Sequence, residues 1–390
     1  MCNLRGPAQE RVPLTLLLVS AAGLLVLLLI VLLLTRRKQA SAATAPSPAA
    51  ARAARPTAAP VAPATPLAVA PRTILPAPGA LASFQRLGRD QLSAPRQAAI
   101  TAALQRVAQP SRALHQLVAP DFLAQASSAD LAELLQGEPQ VTAKVLATVN
   151  SPLYALQAPV VSLGPAITYL GLNTVRGLCL HYMLEDSFQS SDSGLRRYFD
   201  QVWGASSLAS ELCLRLAQGC HLPDPGALAT QVVLSFLGRL AMASVLPTDR
   251  LLALAPLDLL ERSRIEQQQL GLGACEVGCL LMQAWQLPGA LINETGAIEA
   301  LLNPSSHALP ARTEARLAVA YLSARIGEQM MFGELTEPAA LDLADESRVE
   351  MFPVRQALSL PALAPLPELL QGPELNRHLK QMRQALQPRT

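Results

Sequence analysis

The sequence predicts an all-α protein, and three observations predict it. Leu and Ala dominate a chain that is 51% hydrophobic but only 4% aromatic. Both are strong helix formers, and the β-branched residues that favour strands are comparatively few. Beyond residue 81, apolar side chains recur at spacings of three and four, the period of a helix with one buried face. A length of 390 residues would allow two or three domains at roughly 150 residues each. The composition argues for fewer, because the first eighty residues do not read as a domain.

Residues 1–12 are a short flank. From Pro13 to Leu34 the chain holds no charged residue and is rich in Leu. As a helix rising about 1.5 Å per residue it can cross a hydrocarbon layer of about 30 Å. Every backbone amide is then satisfied within the segment, as lipid requires. A transmembrane helix is expected over 13–35. A cleaved signal peptide would have an apolar core of about 7–15 residues and a small-residue cleavage site. This run is longer and ends in Arg36, Arg37 and Lys38. Arg5 and Arg11 precede it, whereas Arg36, Arg37, Lys38, Arg52 and Arg55 follow. The basic excess places the long C-terminal part in the cytoplasm, and the lipid bilayer is an expected partner through residues 13–35.

Residues 36–80 are mostly Ala and Pro. Such a segment cannot bury enough apolar surface to fold alone, and frequent Pro makes it an extended spacer.

Helical patterning then begins, with leading helices over 81–109 that carry Ile100, Leu104 and Val107 on one face. A helix follows Ser127 and Ser128, with Leu131, Leu134 and Leu135 together. Glu138-Pro139 breaks it, since a residue before Pro avoids the helical region. The next helix carries Val141, Val145, Leu146 and Val149 and ends at Asn150-Ser151-Pro152, a turn signal. Ala166, Ile167, Leu170 and Gly171 lead into a further helix through Val175 and Leu178. Gly171 is expected to let two helices approach closely. Arg176 on that largely apolar helix should pair with an acidic core neighbour or face a partner, since buried charges are usually paired.

These residues resemble the HDOD family, the non-catalytic relatives of HD-type phosphohydrolases. The likeness rests on Glu138-Pro139 (more often Asp-Pro in the family), Asn150-Ser151-Pro152, Ala166-Ile167, Leu170-Gly171 and Arg176. Trp203, Leu237-Gly238 and the WQLP of Trp285 to Pro288 continue it. It spans roughly 110–332 and implies an HDOD-type helical bundle acting in bacterial signalling, tethered to the inner membrane by the preceding helix. Its partners would be other signalling or envelope proteins.

A hydrolase of the HD type needs several His and Asp side chains around one or two metals, which generate the nucleophile and neutralise phosphate. The chain has five histidines, His115, His181, His221, His307 and His378, none followed by Asp. The resemblance implies a His two residues after Trp203, where Ala205 stands. It implies a His-Asp pair before Leu237-Gly238, where Ser235-Phe236 stand. A further His is implied near Ala274, and a His-His pair at Ile298-Glu299. No catalytic residue, metal or cofactor is therefore expected, and the chain is expected not to be an enzyme. An emptied hydrolase pocket that senses a nucleotide or metabolite is the second expectation, and a drifted metal-dependent phosphohydrolase the third.

The remaining patterns add little chemistry. Cys275 and Cys279 share a helix face; a two-thiolate half-site is conceivable, but small buried residues are the plainer expectation for them and for Cys213 and Cys220. Phosphate-loop, dinucleotide and serine-hydrolase motifs are missing. A net charge of +2 gives no field for nucleic acid. A helix from Thr313 to Gly327 should close the domain. Residues 333–390 form a C-terminal extension of short helices, packed on the domain or serving as a docking tail. Its last helix, from about Pro373 to Leu386, aligns Leu375, Leu379, Met382 and Leu386 in one stripe that either rests on the domain or docks a partner.

Overall fold

The computed structural model describes residues 75–154, 156–303, 309–333 and 335–387, all within one compact unit of residues 71–390. The transmembrane helix expected over 13–35 lies outside the described residues, as does most of the spacer. Among the described residues every regular element is helical, as the composition predicts.

Short helices come first: α1 Gly79–Ala82, α2 Ala94–Leu104, α3 Arg112–Leu117, α4 Pro120–Gln125 and α5 Ser128–Leu134. The start of α5 is set by Ser127, whose hydroxyl accepts from the Asp130 amide while Asp130 accepts the Ser127 amide in return, so two otherwise orphaned donors are satisfied. Next come α6 Pro139–Val149, α7 Leu163–Leu170 and α8 Leu172–Glu185. Pro139 opens α6 at its first turn, where a missing N–H costs nothing.

The centre is built on α9 Ser193–Gly219 and α16 Ala311–Met331, which lie side by side. Between them in sequence run α10 Pro225–Ser235, α11 Leu237–Ala241, α12 Thr248–Leu254, α13 Leu259–Leu270, α14 Ala274–Ala284 and α15 Gly289–Ala300. The stretch Pro225–Ser244 is apolar and long enough to cross a bilayer, but 83% of it is buried in this body, which marks it as core. The helix expected at Thr313–Gly327 runs longer at both ends. From Ala318 to Met331 every residue is buried, so a one-face pattern underestimates it.

One expectation is corrected. Gly171 is not a close-approach residue, because a side chain there would meet nothing. It sits between α7 and α8 at φ +84°, a conformation that L side chains adopt only at a cost. The close approach is at Gly238 on α11 instead, where an added Cβ would strike the carbonyl of Ala274. The C-terminal stripe takes the first of its two expected places, resting on the domain. After α17 Phe352–Ala357 and α18 Leu366–Gln371, α19 Pro373–Leu386 packs on α9 with Leu379 and Met382 buried. His378 lies 3.3 Å from Glu211 at that contact.

Candidate functional site

Four helices send charged side chains into one buried cluster. Arg239 of α11 and Arg262 of α13 both donate to Glu328 of α16, at 2.9 and 3.2 Å. Arg325, one turn earlier on α16, also bonds Glu328 and lies 3.7 Å from Glu299 of α15. Glu266 of α13 lies 3.8 Å from Arg262 and accepts the Ala274 amide at 2.8 Å, at the start of α14. All six side chains are nine-tenths or more buried, apart from Glu299 at 11% exposed.

Charge at this depth is tolerated only when paired. Burial would push the Glu328 carboxyl up, but Arg262, Arg325 and Arg239 together pull it down to about 2. Glu266 has weaker support. Burial raises it to about 7, opposed by Arg262 and the Ala274 amide. Burial also raises Glu299, against the pull of Arg325 and Arg262.

Two of the positions where the resemblance implies metal ligands lie on this cluster. Glu299 belongs to it, and the Ala274 amide is bonded to it. Ala205, Phe236 and Ile298 are buried apolar residues. Ser235 bonds the carbonyl of Val232 within its own helix. Free space between Glu299, Cys275 and Glu276 is about 10 Å³, and beside Arg239, Arg262 and Arg325 about 30 Å³. Each holds at most a water or two. Neither space admits a nucleotide or metabolite as it stands.

Part of what fills this region comes from outside the domain. Arg86, in the segment between α1 and α2, bonds Glu276 and donates to Cys275 Sγ at 2.9 Å and the Gly296 carbonyl at 3.2 Å. Burial opposes its charge, but Cys275 and Glu276 more than offset this and raise its pKa. The Leu87 amide donates to Gln267 on α13, and Phe84 and Leu81 are buried alongside. Residues 79–92 thus form a strap over α13 and α14. Cys275 and Cys279 are half-buried rather than fully buried, and Cys275 is a contact of the strap. Among the described residues no group of three or more metal-ligating side chains occurs.

The remaining motif residues are structural. Trp203 and Trp285 are buried on either side of Phe188, at ring distances of 6.2 and 6.1 Å. Pro288 is the N-cap of α15, and Glu138 that of α6. Asn150 does more than end α6: its amide donates to the carbonyls of Leu146 and Val160, and its oxygen accepts the Val160 amide at 2.7 Å. It pins a loop that contains half-buried Ser151 and exposed Pro152, and that ends by presenting Val161, 85% exposed. Tyr169, 66% exposed, follows on α7, with Leu170 half-buried behind it. Arg176 is buried but meets no carboxylate among the described residues; it donates to the Leu123 carbonyl and to Asn173.

Sequence reasoning missed the arginine–glutamate cluster. Its one visible signal is a charge inside an apolar run, as with Arg239 in LSFLGRLAMA.

A family model described as the HDOD domain matches residues 111–300. An HDOD domain protein of unknown function from Geobacter sulfurreducens has a similar solved structure, with TM-score 0.53 and 17% identity over 75% of this chain and 98% of that one. A protein from Shewanella amazonensis SB2B, described provisionally as a phosphohydrolase, is similar with TM-score 0.51 and 17% identity over 74% of this chain and 98% of that one. At such identity these two speak for the fold alone. No curated protein matches. Residues 111–300 thus match the HDOD domain, and the helical architecture and the two solved structures agree with its fold.

Proposed function

We propose that this chain is a membrane-tethered signal-transduction protein whose HDOD domain is catalytically inactive and works through contacts with other proteins. The observation that carries the reading is the charge of the buried cluster. Beside Ala274 and Glu299, two of the positions where the resemblance implies metal ligands, three guanidiniums engage the carboxylates of Glu328, Glu266 and Glu299 and compete with a divalent cation for them. The contact surface in this reading is the loop pinned by Asn150, which presents Val161 to solvent, together with exposed Tyr169 on α7. A membrane anchor over 13–35 would concentrate those contacts at the inner face of the bacterial inner membrane.

The test is affinity capture from membranes with the full-length chain, a version lacking residues 1–38, and a V161D/Y169D variant. Enrichment of the same signalling or envelope protein by the full-length chain, lost in both altered forms, is expected. Equal capture by all three would overturn the reading. Metal analysis of the purified chain checks the enzymatic alternative: stoichiometric Mn, Fe or Zn, with metal-dependent phosphoester hydrolysis, would replace it.

A further inference from the structure

Away from the buried cluster, α4, α8, α10 and α15 border a cavity of about 450 Å³, within the size range of small-ligand sites. Arg176 on its wall is 3% exposed. A guanidinium has five N–H donors. Two of these go to neutral acceptors, the Leu123 carbonyl at 3.3 Å and Asn173 Oδ1 at 2.9 Å. The other three have no acceptor among the described residues. Arg239, Arg262 and Arg325, equally buried, each have a carboxylate. Arg176 is a buried cation without one, a state that costs free energy unless an anion arrives.

The rest of the wall adds positive potential. Arg316 of α16 lines the same cavity and bonds the Pro223 carbonyl. The N-terminus of α10 also opens here. Pro225 occupies its first turn and no side chain caps it. The amides of Gly226 and Ala227 therefore have no intrahelical partner, at the positive end of the helix dipole. Asp224 and Glu294 also line the cavity, but among the described residues neither comes within ion-pair distance of Arg176 or Arg316. Glu294 is held by Gln231.

We propose that this cavity binds a small phosphorylated organic molecule. Its phosphate would lie between Arg176, Arg316 and the amides of Gly226 and Ala227. Glu294, fixed by Gln231, would accept from a hydroxyl or amino group on the ligand's body. No covalent step is involved.

The test is isothermal titration of the full-length chain in detergent with inorganic phosphate, pyrophosphate and AMP, at ionic strength held constant with sodium chloride. Saturable binding of at least one probe is expected, weakened about tenfold or more by Arg316→Gln, as befits loss of one charge-assisted contact. Arg176→Gln should abolish it; because that residue is buried, circular dichroism must first show the variant folded. If Arg176→Gln does not fold, Arg316→Gln decides alone. Absence of saturation with all three probes, or unchanged affinity in Arg316→Gln, would overturn the assignment.

Discussion

Arg239 donates to Glu328 at 2.9 Å where neither side chain is more than a tenth exposed. Glu328 is also the acceptor for Arg262 and Arg325, so one carboxylate neutralises the meeting point of three guanidiniums. Replacing it by Gln keeps the shape and removes the only group there held firmly anionic. Glu328→Gln should destabilise the chain by about 3–5 kcal/mol, the usual effect of leaving buried charge unpaired. Guanidinium unfolding followed by circular dichroism reads this directly. A loss under about 1 kcal/mol would mean that Glu266 and Glu299 already neutralise the cluster.

The two ends of the same cluster predict opposite pH limbs. Glu328 is lowered from its ordinary 4.5 to about 2, so its contribution is present above 4.5 and is lost as pH falls toward 2. Glu266 is raised to about 7, so its contribution is full below 4.5 and is lost as pH rises through 7. Stability should therefore decline between about pH 4.5 and about pH 7. Glu299 and Glu350 are also raised, chiefly by burial, and act in the same direction. Glu266→Gln should flatten this decline without abolishing it, as read from denaturation midpoints across the range. An unchanged slope in the variant would disprove the assignment.

Gly171 and Gly238 matter for different reasons, and Ala substitution separates them. At Gly171 there is room for a methyl group but φ is +84°, so Gly171→Ala should cost about 1 kcal/mol of backbone strain. At Gly238 the methyl would meet backbone of α14, which cannot rotate aside. Gly238→Ala should cost more, about 3 kcal/mol, the upper end of ordinary overpacking. Thermal unfolding of the two variants should rank them in that order.

Arg86 holds the strap through Glu276, Cys275 and Gly296. Arg86→Ala should release residues 79–92 without unfolding the domain beneath. Hydrogen exchange of the Leu87 amide, bonded to Gln267 at 2.6 Å, should then rise while the amides of α9 keep their protection. Equal protection of Leu87 in both proteins would show that Phe84 and Leu81 suffice to hold the strap.

Much of the chain's punctuation was readable because its residues act locally. Ser127 caps its own helix, Pro139 opens one, and Asn150-Ser151-Pro152 ends one, each through atoms within a few positions. The last helix has the predicted bounds of Pro373 and Leu386 for the same reason. The site was not readable, because its pairs are remote. Arg239 and Glu328 stand 89 residues apart, and Arg86 and Glu276 190. A charge on a helix ordinarily signals a solvated face, so Arg325 and Glu328 argued against the burial that α16 turned out to have. Gly171 was visible as a special residue, but composition cannot distinguish a need for positive φ from a need for space.

The packing of α19 on α9 also bears on how the chain is made. Leu379 and Met382 cover part of the central helix, near Glu211, yet they leave the ribosome well after that helix does. Until they emerge, α9 has an apolar flank with no cover. A nascent chain stalled before residue 373 would therefore display to chaperones and proteases a greasy strip that the finished protein hides.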